Sequence, residues 1–303
     1  MNLRDFDYFI KLADLKHFGK AADACFVSQP TLSMQIKKLE GELGVVLFER
    51  QKKQVILTEA GKELLSYAKS VLNTVSSMKK AAQALNDPLS GSITLSAIQS
   101  LAPYLLPHLM PKLSKAFPQI KWRLQEGKTD QLLEQLNKGE IDAALLALPI
   151  PQHQLAIKPL FKEPFYAAIG AEHPLYKNKS VLTLSKLEQE PFLLLEEGHC
   201  LRDQALDLCQ LSQSAQNDYR AASLETLRYT IAHHDGLTLM PQLACLSTKG
   251  LKYLPIKDAS AQREIAMVYR QSATNSPLLD NIAKTIQQAI QPRLNDLNAK
   301  LKP

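Results

Sequence analysis

Between Ser28 and Leu43 the chain carries a pattern that leaves little freedom in what it can form. Leu32, Ile36, Leu39 and Leu43 stand at i, i+4, i+7 and i+11, which is one apolar stripe along a helix. Ser28 offers an N-cap oxygen ahead of that stripe, and Pro30 falls in the first turn, where its missing N–H has no partner to lose. Upstream, Phe6, Phe9, Ile10 and Ala13 recur at helical spacing within Leu3–Leu15. A short helix over about Phe18–Ala24 contains Ala21 and Ala22, small enough for another helix to pack closely, and Cys25-Phe26-Val27 reads as a tight turn. A helix, a turn and a second helix with a polar leading end have the geometry of a helix-turn-helix.

The leading end of such a helix can enter the major groove of DNA. The face opposite the stripe shows Gln29, Thr31, Ser33, Met34, Lys37 and Lys38. Gln29 has the chemistry to bridge adenine N6 and N7, Ser28, Thr31 and Ser33 can bond phosphates or bases, and Lys37 can neutralise a phosphate. After Gly44, the segment Leu47–Leu57 reads as two short strands, with Arg50, Lys52 and Lys53 on a tip that would form a wing against the DNA backbone. A solvated basic loop on a three-helix domain is the alternative. The net charge of +6 favours a polyanionic partner without requiring one. Thr58-Glu59-Ala60-Gly61 then opens a long helix reaching about Leu85, with Leu64, Leu65, Ala68, Val71, Leu72, Val75 and Met78 on one side. That stripe must be buried, either on a second subunit or on the rest of the chain.

Pro88 and Gly91 punctuate the chain near 87–91, and its character changes there. Short apolar runs at Ser92–Ala97, Ile141–Leu148, Phe165–Gly170, Phe192–Leu195 and Leu237–Met240 alternate with helix-length amphipathic segments, the signature of α/β layers with mostly parallel sheets. Leu279, Ile282, Ile286 and Ile290 mark a final helix from Pro277 to about Lys300. The N-terminus has two acids before residue 8 and no long apolar run, unlike a secretory signal. No stretch approaches the roughly 20 apolar residues that span a bilayer. Four unevenly spaced cysteines in 303 residues fit a reducing compartment, so a cytoplasmic chain without a membrane partner is expected.

The run Ala21…Val27-Ser28-Gln29-Pro30-Thr31-Leu32-Ser33, followed by Ile36-Lys37-Lys38-Leu39-Glu40, Leu43-Gly44, Leu47-Phe48-Glu49-Arg50 and Leu57-Thr58-Glu59-Ala60-Gly61, resembles the DNA-binding domain of LysR-type regulators. The resemblance implies an N-terminal winged helix-turn-helix over 1–58 and a linker helix over 59–87 that dimerises. It also implies a periplasmic-binding-protein-like α/β regulatory domain over 88–303. That domain would have two subdomains, about 91–162 with 267–303 and about 163–266, joined by two crossing strands. It implies a dimer of dimers on double-stranded promoter DNA, acting with RNA polymerase. A second likeness is narrower. Gly198-His199-Cys200-Leu201-Arg202-Asp203-Gln204-Ala205 with Cys209, together with Pro103–Pro107 and Ser223–Arg228, is similar to the redox-active regulatory domain of the family's peroxide-sensing members. By that likeness Ser100 and Thr129 are hydroxyls of a peroxide pocket. Those members usually carry threonine at the first position, and Ser100 keeps the hydroxyl without the methyl that restrains its rotamer.

A cysteine reacts with peroxide as its thiolate. His199 and Arg202 are cations that could stabilise one at Cys200, and Asp203 could hold either in place. Gly198 frees the preceding turn, and a helix starting near Cys200 would favour negative charge on sulfur. Peroxide would give a sulfenic acid at Cys200, with Cys209 the nearest thiol in sequence to condense with it. Nine residues of helix rise about 13.5 Å, whereas a disulfide needs Cα atoms within about 7 Å, so the helix and the bond exclude each other. Recovery would need an external thiol reductant of glutaredoxin or thioredoxin type. By spacing alone, two cysteines nine residues apart are more often small buried hydrophobes. Cys25 and Cys245 read as core, and His233-His234 as a pair capping a helix end. Zinc is disfavoured because the ligand spacings do not fit, and no cofactor is expected. Two other readings remain: a regulator gated by a small inducer between its subdomains, with inert cysteines, and a thiol peroxidase, in which the N-terminal reader has no role.

Overall fold

The computed structural model describes residues 1–303 except 52–53, 87–89, 152–153, 178–180, 210–215, 234–235, 274 and 302–303. The chain forms two compact units, one of Met1–Ala82 with 138–140 and one of Gln83–Asn137 with Ile141–Pro303.

In the first unit, α1 (Leu3–Leu15) starts at a reciprocal cap between Asn2 and Asp5, and α2 (Phe18–Ala24) is capped by His17. Ser28 caps α3 (Gln29–Leu43), and Gly44 ends it in the left-handed region at φ 72°. The hairpin of β1 (Phe48–Gln51) and β2 (Gln54–Leu57) follows, and then α4 (Glu59–Asn86). The expected stripe is the core: Leu32, Ile36 and Leu39 are buried with Phe9, Leu12, Leu47 and Phe48, and the rings of Phe9 and Phe48 meet edge to face at 5.5 Å. The Glu40 carboxylate accepts from the N–H groups of Leu47 (2.9 Å) and Phe48 (3.3 Å), tying α3 to the start of the hairpin. Gly61 is dictated by space, since a Cβ there would lie 2.2 Å from the Leu47 carbonyl oxygen. Along α4 the apolar stripe is buried only at Ala68, and Val71 and Met78 are exposed.

The second unit begins with β3 (Gly91–Ile98), α5 (Ala102–Ala116), β4 (Ile120–Gly127), α6 (Thr129–Lys138), β5 (Ala143–Ala147) and the long β6 (Leu155–Gly170). It continues through α7 (Leu184–Leu187), β7 (Phe192–Leu195), α8 (Cys200–Cys209), β8 (Gln216–Ala221), α9 (Leu224–Ala232), β9 (Leu237–Pro241), β10 (Leu251–Pro255), β11 (Gln262–Arg270) and α10 (Ser276–Lys300). The strands run β4-β3-β5-β11-β6-β9-β7-β8, with β10 also on β6. The sheet is mixed rather than mostly parallel. β3 pairs parallel with β4 and β5, and β7 pairs parallel with β8 and β9, but every pairing of β6 and β11 is antiparallel. The reason is that β6 serves two half-sheets: residues 155–164 pair with β11, and residues 165–170 pair with β9 and β10.

Two polar networks fasten the halves, the first of them fully buried. Glu163 and Arg263 are cross-strand partners on β6 and β11, and both side chains are fully buried. Arg263 Nε donates to Glu163 at 2.8 Å and Nη1 to the Ser100 hydroxyl at 3.0 Å, while Glu163 accepts from Leu243 N–H at 2.6 Å. In the second network, Arg228 donates to both oxygens of Glu225 (2.8 and 2.9 Å) and to the Ala244 carbonyl. The Tyr104 hydroxyl donates to the same Glu225 carboxylate at 2.7 Å. Arg263→Met leaves the Glu163 carboxylate buried without its cation, which costs about 3–5 kcal/mol. Urea unfolding should show that loss, and adding Glu163→Leu should recover part of it; an unchanged midpoint for Arg263→Met contradicts this account.

Candidate functional site

The leading turn of α3 presents part of the expected DNA-reading set. Gln29, Pro30 and Lys37 are exposed, and Thr31 and Ser33 are half-buried. Ser28 is exposed, but its hydroxyl is engaged in the cap, accepting from Thr31 N–H at 3.3 Å and lying 2.7 Å from the Thr31 hydroxyl. Arg50 lies in β1, while Lys52 and Lys53 lie outside the described residues. In the turn before α3, Phe26 takes φ 56° and is 94% exposed. Cys25 is half-exposed rather than core, because it sits at the end of the short α2, where one side of the turn faces outward.

The cysteine segment lies in the second unit. All four cysteines are free thiols. α8 begins at Cys200 and ends at Cys209 as one continuous helix; Cys200 is half-buried and Cys209 fully buried. Ahead of it, Gly198 takes φ 84°, a conformation that favours glycine. Burial, and then the nearby Glu188 charge, push the Cys209 thiol up to about 12, so it stays protonated through the neutral range.

The charges around Cys200 differ from expectation. His199 is 5% exposed, and burial followed by the Lys128 charge pulls its imidazole below its usual range, against a smaller opposing pull from Glu196. His199 is therefore a neutral ring at neutral pH and not a cation beside the thiol. Its Nε2 stands 3.8 Å from the Glu196 carboxylate, beyond hydrogen-bond reach. Arg202 pairs with Glu197 at 3.4 Å. Asp203 is exposed and holds neither Arg202 nor His199 among the described contacts. Thr129 opens α6 with its hydroxyl buried and unpartnered; His199 Nε2, Arg202 Nε and Gln204 Oε1 are in the same condition. The Ser100 hydroxyl accepts from Arg263 in the Arg263–Glu163 network. Cys245 is buried as expected, and His233 caps α9 while His234 lies outside the described residues. Among the described residues no cluster of three or more His, Cys, Asp or Glu could hold a metal.

Lys128 was not singled out by the sequence. Its ammonium donates to Glu196 at 3.2 Å and to the Glu197 carbonyl at 2.9 Å. No periodicity or motif links residue 128 to residue 196; the only trace in the sequence is Gly198, where an added Cβ would lie 3.1 Å from the lysine stem.

Residues 3–62 match the bacterial regulatory helix-turn-helix protein, lysR family, and residues 86–291 match the LysR substrate binding domain. The chain is 41% identical over 304 residues to the hydrogen peroxide-inducible genes activator of Dickeya chrysanthemi, covering 99% of each. It is 41% identical over 291 residues to the DNA-binding transcriptional dual regulator OxyR of Escherichia coli K12, covering 95% of each. A full-length OxyR variant from Pseudomonas aeruginosa matches with TM-score 0.74 at 36% identity over 95% of each chain. The chain belongs to the OxyR-type branch of the LysR family. As an OxyR-type LysR regulator it is a DNA-binding transcriptional regulator and not an enzyme, which sets the thiol peroxidase reading aside. No described helix is long and apolar enough to cross a membrane.

The two thiols of α8 should alkylate very differently. At pH 8, iodoacetamide should label Cys200 in the folded protein while sparing Cys209, and both should label in denaturant. Mass spectrometry reads the sites; equal labelling of Cys209 in the folded state contradicts its burial.

Proposed function

We propose that this regulator senses hydrogen peroxide at Cys200 and records it as a Cys200–Cys209 disulfide. The observation that carries the reading is the placement of the two thiols at opposite ends of one unbroken helix, about 13.5 Å apart by helical rise. The Cys200 thiolate attacks one peroxide oxygen; the O–O bond breaks, hydroxide leaves and takes a proton, and sulfur becomes a sulfenic acid. The Cys209 sulfur then displaces the sulfenic oxygen as water, which takes up the Cys209 proton. Two electrons pass from the thiols to peroxide. The second step requires α8 to unwind, because the bond needs Cα atoms within about 7 Å.

The unpartnered polar atoms of Thr129, His199, Arg202 and Gln204 support a small polar ligand beside Cys200, since buried polar groups normally find partners. Neutral His199 can take a proton from the Cys200 thiol or from peroxide. The Ser100 hydroxyl accepts from Arg263 and keeps its own O–H to donate to such a ligand. In the reading unit, Gln29, Pro30, Thr31 and Ser33 contact bases or phosphates, and Ser28, Lys37, Arg50, Lys52 and Lys53 contact the phosphate backbone. The exposed Val71 and Met78 on α4 suit a partner helix, giving dimers that pair as tetramers on two-fold promoter sites. RNA polymerase, a glutaredoxin- or thioredoxin-type reductant and a cytoplasmic location complete the scheme, with the second unit in a periplasmic-binding-protein-like arrangement.

Footprinting on promoter DNA before and after peroxide tests this reading. The protected length should change for the unaltered protein, stay fixed in Cys200→Ser, and return when a thiol reductant is added. A change of equal size in Cys200→Ser would instead favour a small-molecule inducer.

A further inference from the structure

Lys128 lies on the turn between β4 and α6, one residue before Thr129, and reaches a loop nearly seventy residues away. Three contacts meet there. The ammonium pairs with the Glu196 carboxylate at 3.2 Å, donates to the Glu197 carbonyl at 2.9 Å, and its stem covers Gly198, whose missing side chain makes the room. These are the three residues immediately before His199 and Cys200. The loop is also held by Glu196 N–H donating to the Ala221 carbonyl at 2.9 Å and by the Glu197–Arg202 pair at 3.4 Å. On either side of the tether stand buried unpartnered atoms: the Thr129 hydroxyl next to Lys128, and His199 Nε2 and Arg202 Nε past the loop.

We propose that Lys128 is a positioning residue of the peroxide site, docking the Glu196–Gly198 loop onto the β4–α6 corner so that Cys200 and Thr129 are presented to one bound peroxide. This rests on the reading of Cys200 as the peroxide-reactive thiol. The tether has an electrostatic consequence as well. The charges facing His199 are Lys128 and Glu196, with the Ala222 carbonyl also against the ring; Arg202 is paired with Glu197, and Asp203 points to solvent. Burial and Lys128 lower the imidazole's titration, and Glu196 opposes them. Removing the lysine charge therefore raises the His199 midpoint, while neutralising Glu196 lowers it.

The test uses the full chain and two readouts, the stopped-flow rate of Cys200 oxidation by hydrogen peroxide and the pH titration of the His199 imidazole by NMR. Lys128→Met keeps the stem and loses the charged donor. It should slow oxidation about two- to fivefold, the worth of a partly exposed ion pair, and raise the His199 midpoint. Lys128→Arg should restore both, and Glu196→Gln should move the midpoint the other way. Opposite midpoint shifts identify Lys128 and Glu196 as the charges facing the ring, and the loss of rate with its rescue by Lys128→Arg reads the positioning. If Lys128→Met oxidises at the unaltered rate, or leaves the His199 midpoint where it was, the positioning role is overturned. If Cys200 of the unaltered protein does not react with peroxide, it is the sensing reading that falls, a distinct result.

Discussion

Cys200 and Cys209 are the first and last of ten residues of unbroken helix, and the second unit's switching depends on that separation. A helix of this length keeps its ends about 13.5 Å apart. No rotamer change can close such a gap, so joining the sulfurs means dissolving backbone hydrogen bonds. The energy for that comes from the peroxide O–O bond. The reverse step needs electrons from outside, since the proposed chemistry leaves the protein two electrons poorer. Burial of Cys209 adds a second restraint: its thiol is protonated and hidden until the helix gives way.

A local unwinding has consequences elsewhere only if the surrounding structure is stiff. β6 runs through both half-sheets, and the buried Glu163–Arg263 pair fixes its register against β11 where one half passes into the other. Tyr104 on α5 and Arg228 on α9 share the Glu225 carboxylate, a second fastening between the halves. α8 is a short element that packs on α7 and β7. Under the proposed disulfide, a second packing of this segment on the rest of the unit would make it a bistable element of the kind that switches use.

Much of this was legible in the sequence because the patterns are strong. α1, α2 and α3 follow from their apolar spacing and caps, and Phe192–Leu195 and Leu237–Met240 stand out as strands because they are uninterrupted apolar runs. β6 was visible only from Phe165 onward. Its first half carries Lys158, Pro159, Lys162, Glu163 and Pro164, whose partners on β11 lie about a hundred residues away, so no local pattern marks it as a strand. That omission is also why the sheet looked mostly parallel. The start of α8 at Cys200 was legible from its own residues, but its electrostatics were not. Asp203 could by its place in the sequence hold Arg202 or His199, but the carboxylates brought nearest to those side chains are Glu197 at 3.4 Å and Glu196 at 3.8 Å, from the loop before α8. His199 looked like a cation, and burial makes it neutral.

Amide hydrogen exchange across residues 200–209, in reduced protein and after stoichiometric peroxide, addresses the central incompatibility most directly. The account requires slow exchange through the helix while the thiols are free, and loss of that protection in the fraction where mass spectrometry finds Cys200 joined to Cys209. A joined pair whose helix amides stay as protected as before would contradict it.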